Sequence, residues 1–419
     1  MSAPCPSVER MKIIHTSDWH IGRTLHGASL EEAHQAFFEA LVDYVRAEEV
    51  DAVLMSGDLF DRAVPSITSL RQARVALTRL TDLARVIITT GNHDSADRLG
   101  LTDRFLNDRL VVRALPDDID RPIDLVAEGR VHARVYTLPY LDPETTRRVL
   151  VDATGDIADP DDPDAVHQLA RSHEAVIAAA ARRIGAHLDA HPLEDGARVI
   201  VMAHAFFTGG LPTESERCLE VGGVEQVSAG TLTRLGKADG PVRVDYVAAG
   251  HLHRPQDVRD AGAPVRYPGS PVAFSFSEAG YEKSVTLLDT DTPDLGIRHL
   301  PLTPWRALRR IATTMEQLRA GRHEDARDSW CEVTITDDAR PHNLVHEVRS
   351  LLPHTLAVFH VPAHAPTPVT AADIRRHQRS PLTLAQEFAR TVGNRELNAA
   401  ERDVWRDVFE KVQADHANS

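Results

Sequence analysis

Cysteine is scarce in this sequence: three residues, Cys5, Cys218 and Cys331, in a chain of 419. An odd number of widely separated thiols excludes a disulfide framework and a zinc knuckle, leaving buried or incidental thiols as the reading. Long apolar runs are missing as well. Nothing approaches the about 18 consecutive apolar residues of a spanning helix, and the opening stretch MSAPCPSVERMKII has neither the basic flank nor the apolar core of a signal peptide. The expectation is a cytoplasmic protein with no membrane association. A basic excess is the third absence. Lysine and arginine number 47 against 62 acids, a formal net charge of −15, which excludes a protein that coats nucleic acid by charge alone. An enzyme acting on nucleic acid survives that test, because bound divalent cations reverse the sign locally. No stretch matches GxxxxGKS or GxxxxGKT, so no ATP site of that type is expected in this chain.

What is present is an alternation of short apolar runs with longer amphipathic stretches, the pattern of an α/β domain. KIIHT (12–16), AVLM (52–55), RVIITT (85–90), RVIVMA (198–203) and DYVAA (245–249) read as buried strands. Between Leu30 and Val50, Ala33, Phe37, Leu41 and Val45 recur at the four-residue step of a helix packed on a sheet. SLRQARVALTRLTDL reads as a second helix, and an alanine-rich segment ending near His187 as a third. The acidic stretch 152–165 reads as a surface loop. From about Pro304 the character changes: SWCEVTITDD, HNLVHEVRSLL and TLAVFHV form a βαβ-like unit, and the tail from Ser380 reads as two amphipathic helices. The clusters WRALRR (305–310) and IRRHQR (374–379) read as solvated helix faces.

The strand ends carry the chemistry. KIIHT is followed by SDWHIG with Asp18 and His20, AVLM by SGDLFD with Asp58, and RVIITT by GNHD with Asn92, His93 and Asp94. RVIVMA runs into His204, and DYVAA into GHLH with His251 and His253. One such turn is an ordinary loop. Five strands each delivering Asp, Asn or His at the carboxyl edge, where open α/β sheets form their crevices, are a site. Carboxylate, imidazole and one amide oxygen, with no thiolate, suit manganese, iron or zinc rather than calcium or a structural zinc. Asp18, His20, Asp58, Asn92, His204, His251 and His253 are too many for one ion. They suit two ions, roughly 3.5–4 Å apart, sharing a bridging carboxylate, for which Asp58 is the candidate. His15, inside its strand, reads as packed core; His167, His173, His187 and His191 read as surface residues; Trp19 and Phe60 read as packing that fixes the loops.

In this order and at these strand ends, the motifs resemble the calcineurin-like metallophosphoesterase superfamily over about Met11 to Leu302. The resemblance implies a β-sandwich flanked by helices, an α/β/β/α arrangement of four layers. It implies one metal held by Asp18, His20, Asp58 and His253, and the other by Asp58, Asn92, His204 and His251. His93 becomes the histidine that is not a ligand, acting on the phosphate or the leaving oxygen, with Asp94 orienting its ring. SDWHIG, GDLFDRAVPS and YPGSPVAFSFSEAGYEKSV (267–285), with the order of domains, resemble the SbcD family of bacterial DNA-repair nucleases. That likeness implies a phosphoesterase domain over 11–302, a small αβ capping domain over 303–379 and a C-terminal helix pair over 380–419. It further implies two divalent ions, Mn²⁺ foremost with Mg²⁺, Fe²⁺ or Zn²⁺ as alternatives. The activity implied is 3′ to 5′ cutting of double-stranded ends and endonucleolytic opening of hairpins or single strands, in repair, recombination and replication. The partners implied are DNA, a second copy of the chain, and SbcC, an ABC-type ATPase with a coiled coil; the protein is then nucleoid-associated when on DNA. Arg306, Arg309 and Arg310 are the cap's candidates for DNA-backbone contact. Leu384, Phe388, Trp405 and Phe409 are candidates for the docking surface. Asp61 stands where archaeal and eukaryotic relatives carry histidine, and its role is left open.

Two rivals remain in the sequence. GDLFDR and GNHD also resemble the GDxxDRG and GNHE signatures of phosphoprotein phosphatases, but Ala63 and Asp94 depart from that pattern. A scaffold that has lost chemistry would ordinarily have lost ligands or His93, and all are present.

Overall fold

The structure, a computed structural model, describes residues 11–101, 108–150, 169–216, 226–237, 239–363, 381–393 and 397–417. The acidic stretch 152–165, His167, the arginine cluster 374–379, Cys5 and Cys218 lie outside them. The chain divides into two compact units, Met1–Leu308 and Arg309–Ser419.

The first unit is built on two six-stranded sheets. In one, the strands Lys12–Thr16, Ala52–Ser56, Arg85–Thr89 and Leu110–Arg113 run parallel, with Ser284–Asp289 and Arg298–Pro301 added antiparallel beyond Lys12–Thr16. In the other, Arg130–Leu138, Arg198–His204, Tyr246–Gly250 and Val265–Tyr267 run parallel, with antiparallel edges Ile123–Ala127 and Gln256–Val258. The central strands are apolar on both faces because both faces are covered. Ile13, Leu54 and Ile87 of the first sheet meet Ile200, Met202 and Tyr246 of the second in one core. The alternate residues Val199, Val201, Val247 and Ala249 face outward and pack with Val176, Ala180 and Ile184 of the helix His173–Ala190. On the other side, the helix Glu31–Ala47 buries Phe37, Phe38, Leu41 and Val45, and the helix Ile67–Thr81 buries Ala73, Ala76 and Leu80. The second of these starts where the Ser66 hydroxyl accepts from the Ser69 amide. Layers therefore follow as helix, sheet, sheet, helix, the four-layer α/β fold.

His15 lies in the interior between the sheets, where its Nδ1 stands 3.0 Å from the Tyr246 hydroxyl of the opposite sheet. Burial pushes its pKa down to about 3, so a neutral imidazole ties the layers together. Two histidines read as surface residues are placed differently. His173 and His187 are half-buried, His187 Nδ1 standing 2.9 Å from the Tyr136 hydroxyl; both sit on the sheet-facing flank of an alanine-rich helix, whose small side chains draw it close to the sheet.

The second unit holds a three-stranded sheet in the order Leu308–Thr313, Trp330–Ile335, Thr355–His360. The last two are parallel and joined through the helix Leu344–Leu351, as a βαβ unit requires. Ile311, Val333, Ile335, Leu344 and Val348 form its core. One element differs from the sequence reading. WRALRR does not lie on a helix: Arg309 and Arg310 are on the strand Leu308–Thr313, at the edge of the sheet. Its exposed arginines disguise a strand that buries only Ile311 and Thr313. Two further helices, Pro381–Gly393 and Ala399–Ala417, pack on each other and leave Phe388, Val392, Val404, Trp405 and Val408 exposed. The side chains of Leu384 and Phe409 lie outside the described residues. Among the described residues no helix is long and apolar enough to cross a membrane.

Cys331 is fully buried in the core of this unit, and burial raises its thiol to about 11. In native protein at pH 8, peptide-resolved alkylation is expected to leave Cys331 unlabelled, with labelling only after denaturation. Labelling at the rate of a free thiol in the native state would show that this core opens readily.

Candidate metal centre

The carboxyl ends of the parallel strands converge, and all seven predicted ligands meet there. The Asp58 carboxylate is at the centre: its Oδ2 lies 3.4 Å from His20 Nε2 and 3.4 Å from His204 Nε2. On one side, His20 Nε2 faces His253 Nε2 at 3.0 Å. On the other, Asn92 Oδ1 is 3.0 Å from His204 Nε2 and 3.1 Å from His251 Nδ1. Asp18 can share an ion both with His20 and His253 and with Asp58 and His204. Its carboxylate also accepts from the His251 amide and the Ser17 hydroxyl.

Local backbone is bent to make this possible. Asp18 (φ 54°), His20 (φ 45°), Asp58 (φ 59°) and His251 (φ 110°) all occupy left-handed or otherwise sparsely populated conformations. Such residues cost about 1–3 kcal/mol each and persist where the surroundings over-determine them. Two glycines are fixed by close approach: a Cβ on Gly91 would overlap the Asp58 carboxylate, and one on Gly250 would overlap the Ser56 carbonyl. The Asp18–His20 turn is anchored by Trp19, fully buried against Phe37 and Phe38, whose indole donates to Thr16 Oγ1 and whose carbonyl lies 2.6 Å from His34 Nε2.

The electrostatics show a buried cluster of competing charges. Burial pushes the Asp18 carboxyl up to about 7, with the Asp58 charge adding to the push against the pull of His204. Burial also works against an ionised Asp58, yet His204 and His20 together hold it well below the usual carboxylate range. The same pairing lifts His204 to about 9 in spite of its burial. His20 and His253 are held far below the ordinary imidazole value by burial, and His251 down to about 3. His20 Nδ1 is buried without a hydrogen-bond partner. Imidazole nitrogens that face one another, with carboxylates that burial disfavours as anions, form a donor set that fits divalent cations.

His93 is buried beside this cluster, its ring 4.6 Å from that of His20. The structure corrects the role given to Asp94. Its two oxygens accept from the backbone amides of Leu59, Phe60 and Gly91 at 3.0–3.1 Å. The ring partner of His93 is instead the Asp61 carbonyl, 2.8 Å from Nδ1. Asp94 is near enough in sequence to suggest a dyad, but the amides of Leu59 and Phe60 in the SGDLF turn and of Gly91 in its own turn claim its carboxylate first. Phe274, Arg23 and Tyr140 at the site carried no signal in the sequence, and Asp61, whose role the sequence left open, now has neighbours. The Phe274 ring stands edge-on to His20 and His253, at 5.2 and 5.3 Å, with the Arg23 guanidinium 4.7 Å over it. Tyr140 packs against both His204 and His173. Asp61 Oδ1 lies 3.9 Å from both His20 Nδ1 and His93 Nδ1 and 3.8 Å from Arg23 Nε. The predicted DNA-contact arginines have partners close by in the chain. Arg309 and Arg310 pair with Asp325 and Glu332, and Arg306 lies over Trp305.

Asp94→Ala is expected to destabilise the metal-free protein by about 2–5 kcal/mol, since three backbone donors lose their acceptor. Urea denaturation in EDTA measures it; an unchanged midpoint would mean that Asp94 serves only the His93 ring.

Residues 11–255 match the family model described as calcineurin-like phosphoesterase, and residues 304–392 match one described as type 5 capsule protein repressor C-terminal domain. The chain is 31% identical over 363 residues to the SbcD subunit of the nuclease SbcCD of Bacillus subtilis (strain 168), an alignment covering 83% of this chain and 86% of that protein. It is 35% identical over 306 residues to the corresponding SbcCD nuclease subunit of Rhodobacter capsulatus, covering 70% and 69% respectively. Among solved structures, TT1561 of Thermus thermophilus aligns with 70% of this chain and 100% of its own at 15% identity and a TM-score of 0.38. The buried Asp, Asn and His cluster thus sits in a domain whose family match spans more than half of the chain, and the chain belongs to the calcineurin-like phosphoesterases and, among them, to the SbcD nuclease subunit family.

Proposed function

We propose that this chain is the metal-dependent nuclease subunit of an SbcCD-type complex and hydrolyses DNA phosphodiesters at the Asp58 centre. One observation carries the reading: a single carboxylate oxygen stands equidistant from imidazoles of two different ligand sets, His20 with His253 and His204 with Asn92 and His251. That is the arrangement expected of a bridging ligand between two cations. The ligand sets are then Asp18, His20, Asp58 and His253 for one ion, and Asp58, Asn92, His204 and His251 for the other. Manganese is the ion favoured, with magnesium, iron or zinc as alternatives. When bound, two such ions supply charge neutralisation for the phosphodiester and lower the pKa of water.

The chain's own residues do the rest. The His93 Nδ1–H donates to the Asp61 carbonyl, which turns Nε2 into the ring atom left to exchange a proton or hydrogen bond with a phosphoryl or leaving oxygen. Phe274 and Trp19 keep water away from the back of the cluster. His204 and His20 beside Asp58 favour its charged form. The complete set of ligands together with His93 argues against a catalytically silent scaffold.

Family likeness supports activity on double-stranded ends, 3′ to 5′, and on hairpins or single strands, in repair, recombination and replication. It also supports a homodimer joined to an SbcC-type coiled-coil ATPase, in the cytoplasm and on the nucleoid when DNA is bound. Residues 11–302 serve as the nuclease domain, 303–379 as a cap and 380–419 as the docking helices. The exposed Phe388 and Trp405 support an apolar docking surface. Arg306, Arg309 and Arg310 are weaker candidates for DNA than the sequence implied. Arg309 and Arg310 are neighbours on a strand and project to opposite faces, and each is already paired with an acid, Asp325 and Glu332.

The test is cleavage of end-labelled duplex DNA with Mn²⁺. Wild type is expected to shorten the duplex, Asp58→Asn and EDTA to abolish shortening, and His93→Ala to lower cleavage by at least about 100-fold while still binding two ions by calorimetry. Loss of both ions in His93→Ala would contradict its role, and absence of cleavage with the ATPase partner added would remove the nuclease reading.

A further inference from the structure

The stretch SFSEAGYEK lies in sequence beyond all the predicted ligands, yet Glu278 and Lys283 are buried, with side chains 0% and 6% exposed. A buried ion pair needs a reason, because desolvation offsets much of its attraction. The Lys283 ammonium spends its three protons on Glu278 Oε2 at 2.5 Å, Ser270 Oγ at 2.9 Å and the backbone carbonyl of His253 at 3.0 Å. Glu278 Oε1 accepts from the Ser215 hydroxyl at 2.8 Å and the Phe274 amide at 3.0 Å. Ser215 Oγ is in turn 2.6 Å from His253 Nδ1. The His253 amide donates to Glu216 at 2.7 Å. His253 is therefore held at three points: amide, carbonyl and ring.

The direction of each hydrogen bond follows from counting protons. Ser215 has one hydroxyl proton and three neighbours: Glu278 Oε1, His253 Nδ1 and, at 2.8 Å, Thr213 Oγ1. Thr213 sends its own hydroxyl proton to Glu216 Oε2 at 2.7 Å, so it gives none to Ser215. The Glu278 carboxylate, paired with the Lys283 ammonium, is the strongest acceptor of the three and takes the Ser215 proton. Ser215 Oγ then has only lone pairs to offer His253, and Nδ1 must carry the ring proton. Nε2 is left as a lone pair, facing His20 Nε2.

We propose that Ser215, Glu278 and Lys283 form a buried relay of positioning residues that fixes the ring tautomer and orientation of His253 and thereby sets the affinity of one of the two metal positions. The inference rests on the reading of His253 as a ligand. Outer hydrogen-bond partners of metal-binding histidines typically govern affinity by about 10–100-fold. The second position, with Asn92, His204 and His251, has no residue in this relay, since His204 Nδ1 is held by the Ser56 carbonyl. The effect is thus confined to one ion, which a merely structural role for the pair would not produce.

The experiment is calorimetric titration of Mn²⁺ into metal-free full-length protein, with thermal melts in EDTA as the control for folding. Ser215→Ala and Glu278→Gln are expected to weaken one ion by about 10–100-fold and leave the other within about threefold. His253→Ala is expected to lose the same ion. If His253→Ala keeps both ions at full affinity, His253 is not a ligand and the inference falls with that reading. If His253→Ala loses an ion while a folded Ser215→Ala keeps both unchanged, the ligand reading stands and the relay is wrong. Should the relay variants fail to fold, ring ¹⁵N shifts of the metal-free wild type decide: His253 protonated at Nδ1 supports the relay, and protonation at Nε2 alone overturns it.

Discussion

The rest of the structure depends on keeping one carboxylate charged where water does not reach it. Asp58 is 2% exposed, and burial alone would protonate it. Two imidazoles from different strands, each 3.4 Å from the same oxygen, hold it as an anion. The His93 amide donates to the other oxygen at 2.8 Å. Backbone strain at Asp18, His20, Asp58 and His251 is what it takes to bring side chains from separate strand ends to one point. The sandwich supplies the rigidity that tolerates it, as close-packed interiors transmit strain rather than absorb it.

Rigidity of this kind comes from both sheets at once. Strands of the first sheet supply Asp18, His20, Asp58 and Asn92, whereas His204, His251 and His253 follow strands of the second. A slip of one sheet over the other would pull the two ligand sets apart. The apolar core between the sheets resists sliding without direction, but the bond from His15 to Tyr246 has direction and lies near the carboxyl end of the same strand that leads to Asp18. A neutral, fully buried histidine is suited to that task because it bonds without bringing charge into the core.

Much of this was legible because it is local. Short apolar runs, each ending in glycine or serine beside Asp, Asn or His, announce strands and what they present, and the βαβ unit near Trp330 is announced by its alternating periods. What was not legible depends on pairings between distant segments. Asp94 looks like a partner for the adjacent His93, but only the folded turn shows three amides in want of an acceptor. Arg309 and Arg310 look like a helix face because a strand at a sheet edge buries few residues and shows no strong alternation. The serine of PTESER gives no hint that it reaches His253, since that contact exists only once two loops are folded against each other.

The two sides of the centre are consequently held by different means. His204 is fixed by the carbonyl of Ser56, two residues before Asp58, so its orientation is set by the same strand that delivers the bridge. Among the described residues, the His253 ring is held by side chains from two separate loops rather than by a backbone carbonyl. Its neighbours add to this: Phe274 wedges against both His20 and His253, and Arg23 covers Phe274 while its guanidinium reaches the Ser215 carbonyl. The His204 side is therefore coupled tightly to the sheet, and the His253 side to loop packing that other contacts can disturb. On the proposed two-ion reading, disturbance of these loops acts first on the ligand set that contains His253, while the Ser56 carbonyl keeps His204 in place.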